Sequence, residues 1–153
     1  MNPKVTWLLP VKNGMPYLHK CLESIYKQTY PNHQILAWVN KCNDKSLEEL
    51  QKWIPSKIKG EIIDDSPFDN LGECLAAMVQ YSNTELLARI DCDDINDINR
   101  LKEQIPIIES SNKIAAVGSW MNIINENGDF ISLGKKPINH PQILMWDLLF
   151  RCP

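Results

Sequence analysis

The sequence predicts an α/β fold with a largely parallel central sheet. Short apolar runs alternate with amphipathic stretches through the first two thirds of the chain, as expected of strands joined by crossover helices. The 153 residues suit one compact domain. Hydrophobic residues make up 44% and charged residues 23% of the chain, a balance that is typical of a globular protein rather than a disordered one.

The first strand and the first helix are separated by a turn. Residues 5–9 form a continuous apolar run that Pro10 and the Asn13-Gly14 pair end. Pro16 suits the first position of the helix that follows. The apolar face of this helix comprises Leu18, Cys21, Leu22 and Ile25.

The next elements continue the alternation. Residues 35–39 are predicted as the second buried strand and residues 60–63 as a short third one. Between them, Ser46 and Glu49 have the spacing of a capping box at the start of a helix. The apolar stripe of that helix comprises Leu47, Leu50 and Ile54.

A third helix and a fourth strand complete the parallel part. Residues 86–90 are predicted as the strand. A further helix comes later, with Ile98, Leu101, Ile105 and Ile108 at helical spacing, and Pro106 is expected to kink or split it. The apolar face of the third helix comprises Leu71, Leu75, Met78 and Val79.

The last third of the chain is less regular. Residues 114–124 predict a strand, and the Asn127-Gly128 pair predicts a hairpin turn. An apolar helix is predicted over residues 142–150. Because only three residues follow that helix, we expect the chain to be the N-terminal part of a longer protein.

Charge and cysteine content exclude several function classes. Sixteen basic and nineteen acidic residues give a net charge of −3, which argues against a general electrostatic grip on nucleic acid. Five cysteines without a Cys-x-x-Cys pair favour reduced thiols in a cytoplasmic protein over a disulfide framework or a zinc site. The sequence contains no apolar run of transmembrane length.

The acidic segment after the fourth strand is the sharpest candidate site. Asp91, Asp93 and Asp94 lie within four residues at the carboxyl end of a predicted strand, where open parallel sheets bind ligands. In extended backbone, Asp91 and Asp93 would point to the same side. Their mutual repulsion favours a bound cation such as Mg²⁺ or Mn²⁺. The alternative is a polar loop that caps the next helix, a role that Asp97 could also fill.

Several motifs in order carry a family resemblance. They are VTWLLPVKNG at residues 5–14, CLESI at 21–25, QTY at 28–30, ARIDCDDI at 88–95 and ENG at 126–128. In this order and spacing, over nearly the whole chain, they resemble family-2 glycosyltransferases. The resemblance implies a GT-A fold, a Rossmann-like three-layer α/β/α sandwich, with residues 1–153 as a single nucleotide-sugar-binding domain that ends before the acceptor-binding part.

The resemblance also implies roles for individual residues. The donor is a nucleotide-diphosphate sugar, with a UDP-sugar expected, and the cofactor is Mn²⁺ or Mg²⁺. Asp93, together with Asp91 and Asp94, would hold the metal on the diphosphate, and Asp91 would otherwise bind the ribose. The residues implied in nucleotide-sugar binding are Pro10, Val11, Asn13, Asn40, Asn70, Asp91 and Cys92.

Some positions depart from the family pattern. Where the family usually has two acidic residues and Gly-Ser after the second strand, this chain has Asn40 and Lys41. Asn40 can still hydrogen-bond a base, and Lys41 either meets a phosphate or lies in an exposed loop. Lys12 replaces a frequent aromatic residue. The general base of catalysis is unknown and is expected beyond Pro153, so we expect this chain alone to be inactive.

Two function hypotheses follow. The first is an inverting glycosyltransferase that transfers sugar to a hydroxyl of a glycan or lipid-linked acceptor, in surface polysaccharide biosynthesis. Its expected location is the cytoplasm, including the inner face of the membrane. The second is a non-catalytic module of the same fold that binds nucleotide sugar or a partner. Arg89 is expected either to face the donor or to pair with the acidic cluster.

Overall fold

The computed structural model describes residues 2–65 and 67–134. The chain divides into two compact units between Glu103 and Gln104. The helix predicted over residues 142–150 lies outside the described residues.

The first unit is built on a four-stranded parallel sheet with the strand order β3-β2-β1-β4. Its strands are β1 (Val5–Val11), β2 (His33–Val39), β3 (Gly60–Asp64) and β4 (Leu86–Arg89). The connecting helices are α1 (Leu18–Tyr26), α2 (Ser46–Trp53) and α3 (Leu71–Tyr81). The predicted α/β fold with a mostly parallel sheet is confirmed.

The strand order puts the helices on both faces of the sheet. The chain steps from β1 to β2 to β3 in one direction and then returns to β4 on the other side of β1. Because parallel crossovers are right-handed, this reversal places α1 and α2 on one face and α3 on the other. The point of reversal, between β1 and β4, is where such sheets bind ligands at their carboxyl edge.

The core is centred on β1, all of whose residues are buried. Trp7 and Leu9 are fully buried. The face covered by α3 holds a cluster of Leu8, Leu36, Trp38, Cys74 and Met78.

The predicted apolar face of α3 is only partly correct. Met78 is buried, but Leu71 is 47% and Val79 is 50% exposed. Cys74 takes the buried position one turn before Met78, because these two side chains, and not Leu71 and Val79, meet the sheet.

The predicted capping box of α2 is wrong. Neither side chain caps the helix, since the N-cap is Lys45 and it makes no side-chain capping bond. The Ser46 hydroxyl accepts a hydrogen bond from the Gly14 amide at 2.9 Å. The Glu49 carboxylate instead hydrogen-bonds with His19 of α1 and with Lys52 and Trp53 of its own helix. Tertiary contacts have therefore taken both groups away from the helix terminus.

The fourth helix, α4 (Arg100–Glu109), continues through Pro106, so the predicted split does not occur. A proline at this point removes one intrahelical hydrogen bond without preventing the turn that follows. Across residues 2–65 and 67–134, we find no helix with the length and apolar character needed to cross a membrane.

The second unit contains an antiparallel hairpin of β5 (Asn122–Ile124) and β6 (Phe130–Leu133). Gly128, at φ 95°, lies in the connecting turn, so the predicted Asn127-Gly128 hairpin is confirmed. The strand predicted over residues 114–124 is wrong before Asn122. A strand needs a hydrogen-bonding partner, and the four residues of β6 pair only with residues 122–124.

Candidate functional site

A pocket of about 100 Å³ opens where β1 and β2 end and α3 begins. Four residues expected to bind nucleotide sugar line it, namely Pro10, Val11, Asn40 and Asn70. The other four lining residues, for which no binding role was predicted, are Lys12, Asp69, Leu71 and Cys74. The position of Asp69 directly before Asn70 is the one signal that pointed to it.

Asn40 is a buried polar residue in the pocket wall. It is only 7% exposed, and its side-chain amide donates to the Phe68 carbonyl at 3.1 Å. Its side-chain oxygen Oδ1 is buried and has no hydrogen-bond partner among the described residues. Such an acceptor costs about 1–3 kcal/mol when left unpaired.

Asn70 fixes the start of α3 at the pocket. Its side chain accepts a hydrogen bond from the Glu73 amide at 3.0 Å. Glu73 in turn accepts from the Asp69 amide at 3.2 Å. This reciprocal pattern holds the backbone of residues 69–73 in one position.

Asn13 lies in the loop after β1 but does not line the pocket. It has a left-handed backbone, with φ 54°, and its side-chain oxygen accepts from the Asn43 amide at 2.9 Å. Its own amide donates to the Cys42 thiol at 3.2 Å. Asn13 therefore joins the loop after β1 to the loop after β2.

Asp44 holds the same loop from the other side. Its carboxylate accepts from the amides of Met15 and Ser46, each at 3.0 Å. Although burial works in the opposite direction, hydrogen bonds from Ser46 and Met15 hold the pKa of Asp44 below its usual range.

The loop after β1 packs directly on the acidic segment after β4. A Cβ atom on Gly14 would lie only 3.2 Å from the Cys92 sulfur and 3.3 Å from its Cβ, so a side chain there would require Cys92 to shift by a few tenths of an ångström. A backbone hydrogen bond from Lys12 also reaches the Cys92 thiol. Burial, the dominant effect, nevertheless raises the pKa of Cys92.

The acidic segment is a turn and not extended backbone. The Asp94 amide donates to the Asp91 carbonyl at 3.1 Å, and β4 has already ended at Arg89. The expectation that Asp91 and Asp93 project together from an extended strand is therefore wrong. Asp91 instead binds Arg89 through both carboxylate oxygens, at 2.8 and 3.0 Å from Nη2. Of the two roles considered for Arg89, the structure has the pairing with the acidic cluster.

Asp94 carries negative charge that its neighbours compensate only in part. Desolvation, followed by the charges of Asp93 and Asp91, raises the pKa of Asp94. The guanidinium groups of Arg100 and Arg89 act in the opposite direction but do not cancel this effect.

The segment after the turn is held by Ser24 of α1 and by Gln28, which follows that helix, contacts that the sequence patterns did not predict. The Gln28 amide group donates to the Asp97 carbonyl at 2.7 Å and accepts from the Leu101 amide at 3.2 Å. The Ser24 hydroxyl accepts from the Asn96 amide at 3.1 Å. Asp97 itself accepts from the Asn99 amide at 2.8 Å, so it is Asp97, rather than the acidic turn, that organises the backbone before α4.

The family model described as Glycosyl transferase family 2 matches residues 6–150. The chain belongs to this family.

Curated relatives of this family-2 chain come from archaea and bacteria. An uncharacterized glycosyltransferase of Methanocaldococcus jannaschii, MJ1057, is 31% identical over 117 residues, 75% of this chain and 40% of that protein. WfgD of Escherichia coli, a UDP-Glc:alpha-D-GlcNAc-diphosphoundecaprenol beta-1,3-glucosyltransferase, is 25% identical over 138 residues. That match covers 88% of this chain and 53% of WfgD, so the chain spans about half the length of these relatives or less.

Solved structures of similar fold include two complexes with nucleotide sugars. TarS 1–349 of S. aureus, in complex with UDP-GlcNAc, has a TM-score of 0.64 at 19% identity, over 70% of this chain and 31% of that one. The mannosyltransferase PcManGT of Pyrobaculum calidifontis, in complex with GDP-Man and Mn²⁺, has a TM-score of 0.57 at 18% identity. It is matched over 62% of this chain and 29% of its own. The predicted GT-A fold is confirmed.

A divalent cation is the cofactor that family 2 implies, and the acidic turn fits it. Protein sites commonly hold Mg²⁺ through one or two carboxylates together with water and substrate phosphates. Asp93 is exposed, whereas burial and the neighbouring carboxylates disfavour the charged form of Asp94. Within the described part of the chain, no three His, Cys, Asp or Glu side chains converge to hold an ion. Oxygen ligands from the substrate, such as those of a phosphate, would have to complete a cation site at the turn.

Proposed function

We propose that this family-2 chain is the donor-binding part of a glycosyltransferase that uses a UDP-sugar together with Mn²⁺ or Mg²⁺. One observation carries the proposal: the loop of residues 11–14 lines the pocket at one end and packs on the acidic turn at the other. A nucleotide-diphosphate sugar requires these two features side by side, a pocket for the nucleoside and oxygen ligands for the cation on its diphosphate.

The nucleoside occupies the pocket at the ends of β1 and β2. Pro10, Val11 and Asn70 form walls against it, while Asn13 holds the loop in place. Asn40, which lines the pocket, is the side chain that would hydrogen-bond the uracil base. The UDP-GlcNAc complex of TarS and the UDP-Glc donor named for WfgD support a uridine nucleotide.

The diphosphate lies at the acidic turn. Asp93 and Asp94 would hold the cation. Asp91 would face the ribose, and Arg89 keeps Asp91 in position through their ion pair. Cys92 packs against Gly14 of the loop after β1. The cation supplies neutralisation of the charge that develops on the departing nucleotide diphosphate. The Mn²⁺ complex of PcManGT supports this assignment.

The reaction is an inverting displacement at the anomeric carbon of the sugar. The bond from that carbon to the diphosphate oxygen breaks as a bond to an acceptor hydroxyl forms, and the hydroxyl proton passes to a general base. The acceptor is a glycan or a lipid-linked glycan, such as the alpha-D-GlcNAc-diphosphoundecaprenol in the name of WfgD, and the proposed setting is surface polysaccharide biosynthesis. The site works in the cytoplasm, at the inner face of the membrane where a lipid-linked acceptor lies.

Calorimetric titration of UDP and GDP, with and without Mn²⁺, tests the proposal. UDP is expected to bind more tightly with Mn²⁺ than without it and more tightly than GDP does. Asp93→Ala is expected to remove the Mn²⁺ dependence, a loss of about tenfold or more in affinity, and to leave metal-free binding unchanged.

The matched control is Glu85→Gln, which removes a negative charge from an exposed residue just before β4. Glu85 lies at the amino ends of the strands, and the pocket lies at their carboxyl ends. This variant is expected to bind UDP as the unchanged chain does. UDP affinity that is independent of Mn²⁺, or that is equal in Asp93→Ala and the unchanged chain, would contradict the proposal.

A further inference from the structure

Two lysines and one aspartate lie together at the mouth of the pocket. Lys12 and Asp69 line it, and the Lys41 ammonium donates to the Asp69 carboxylate at 3.0 Å. The side chain of Asp69 is 88% exposed and that of Lys41 is 48% exposed. The hydrogen bond and charge of Lys41, with a smaller contribution from Lys12, hold the pKa of Asp69 below its usual range. Both lysines therefore act on one carboxylate, and the three groups together carry one net positive charge.

Lys12 is also the residue that joins the pocket to the acidic turn. Lys12 lines the pocket. Gly14, two residues later, packs on Cys92. Along the chain, Lys12 therefore lies between Val11, which lines the pocket, and Gly14, which packs on the turn. In a nucleotide, the part that follows the nucleoside is the phosphate chain.

We propose that Lys12 and Lys41 form an anion site at the pocket mouth, which binds a phosphate of the donor nucleotide, and that Asp69 is the group which this phosphate displaces from Lys41. The proposal rests on the proposed function, because it needs a nucleoside in the pocket. Exposed ion pairs contribute little to stability, so Lys41 gives up Asp69 readily. A phosphate offers more charge and more acceptor oxygens than a carboxylate does.

Uridine and UMP, titrated into the full chain in metal-free buffer containing EDTA, separate the phosphate contribution from that of the cation. The unchanged chain is expected to bind UMP more tightly than uridine. Lys12→Met and Lys41→Met, which keep the length of the side chain, are each expected to lower the UMP-to-uridine affinity ratio about 3- to 10-fold. The ratio isolates the phosphate contribution, because any change that Lys12→Met makes in the pocket wall affects uridine and UMP alike.

Asp69→Asn changes the ratio in the opposite direction. Removing the competing carboxylate is expected to raise the UMP-to-uridine affinity ratio about 2- to 5-fold. Added salt should weaken UMP binding and spare uridine binding, since it screens exposed charges. Lys59→Met is the matched control, because Lys59 is exposed and directly precedes β3 at the opposite edge of the sheet; it should leave the ratio unaltered.

The outcomes distinguish the anion site from the proposed function. Uridine and UMP bound equally well by the unchanged chain would overturn the anion site and keep the nucleoside pocket. An unaltered UMP-to-uridine ratio in both lysine variants, or a lower ratio in Asp69→Asn, would also overturn the anion site. If a chain shown to be folded by circular dichroism binds neither compound, the nucleoside pocket is wrong, and the anion site falls with it.

Discussion

Glu49 is a buried carboxylate that is hydrogen-bonded by three neighbouring side chains. Its oxygens accept from His19 at 2.8 Å and from Lys52 and Trp53 at 2.9 Å each. Although burial works to raise it, the bonds from Lys52, His19 and Trp53 lower the pKa of Glu49 from 4.5 to about 2. The ionised carboxylate is thus part of the packing between α1 and α2.

The pH dependence of stability should report this carboxylate. Because its pKa is lower in the folded than in the unfolded chain, the contribution of Glu49 is present above about pH 4.5 and is lost as the pH falls towards 2. Glu49→Gln is expected to lower the free energy of unfolding by about 1–2 kcal/mol at neutral pH and to flatten its decrease in this interval. Urea unfolding at several pH values measures both effects.

Glu48→Gln is the control for this measurement, since Glu48 is an exposed neighbour on the same helix. It should keep both the stability and its pH dependence. An equally steep loss of stability in Glu49→Gln and the unchanged chain would show that Glu49 does not contribute in this way.

Among the elements, α1 does more than cover the sheet. Ser24 lies on its buried side and Gln28 is buried two residues after its end, and their hydrogen bonds reach the backbone of residues 96–101. This segment directly follows the acidic turn, so α1 sets where the turn is anchored. Gln28 is therefore a positioning residue in the proposed donor site.

Gln28→Leu removes every hydrogen bond of this side chain. It is expected to cost about 2–3 kcal/mol of folding stability and to weaken Mn²⁺-dependent UDP binding about 3- to 10-fold. Metal-free UMP binding should stay unchanged, because the pocket does not involve α1. Calorimetry below the melting temperature separates the two kinds of binding.

The matched variant on another helix is Gln51→Leu, at an exposed position of α2, which should leave both kinds of binding intact. If Gln28→Leu weakened metal-free UMP and metal-dependent UDP to the same extent, its role would be general stability and not the placement of the turn.

For the whole molecule, the division into two units separates the candidate site from the hairpin. Every described residue with a proposed role in donor binding lies within Met1–Glu103. The hairpin of β5 and β6 exposes large apolar side chains, among them Phe130 and Ile131. Donor binding should thus be a property of the first unit.

A chain that ends after Asn112 tests this expectation. It keeps α4 complete and should fold and bind UDP with Mn²⁺ within about 3-fold of the 153-residue chain. Circular dichroism checks the fold and calorimetry the affinity. A folded shortened chain that has lost UDP binding would mean that residues after 112 take part in the site.

Local patterns were sufficient to predict the framework of the fold. The alternation of apolar runs and helical stripes predicted β1 to β4 and α1 to α4 in order, since each pattern depends on neighbours a few residues apart. The Asn127-Gly128 pair predicted the hairpin for the same reason. The motifs around residues 5–14 and 88–95 were sufficient for the family and for the GT-A fold.

Contacts between distant parts of the chain decided the rest. Ser46 and Glu49 have the spacing of a capping box, yet they bind Gly14 and His19 because those partners come from the end of β1 and from α1. Lys12 and Asp69 meet at one pocket only after β1 and α3 are packed. Periodicity along the sequence records which face of an element is buried, but not which side chain of another element lies opposite. The contact partner of each such side chain is therefore decided only when the sheet and its helices pack together.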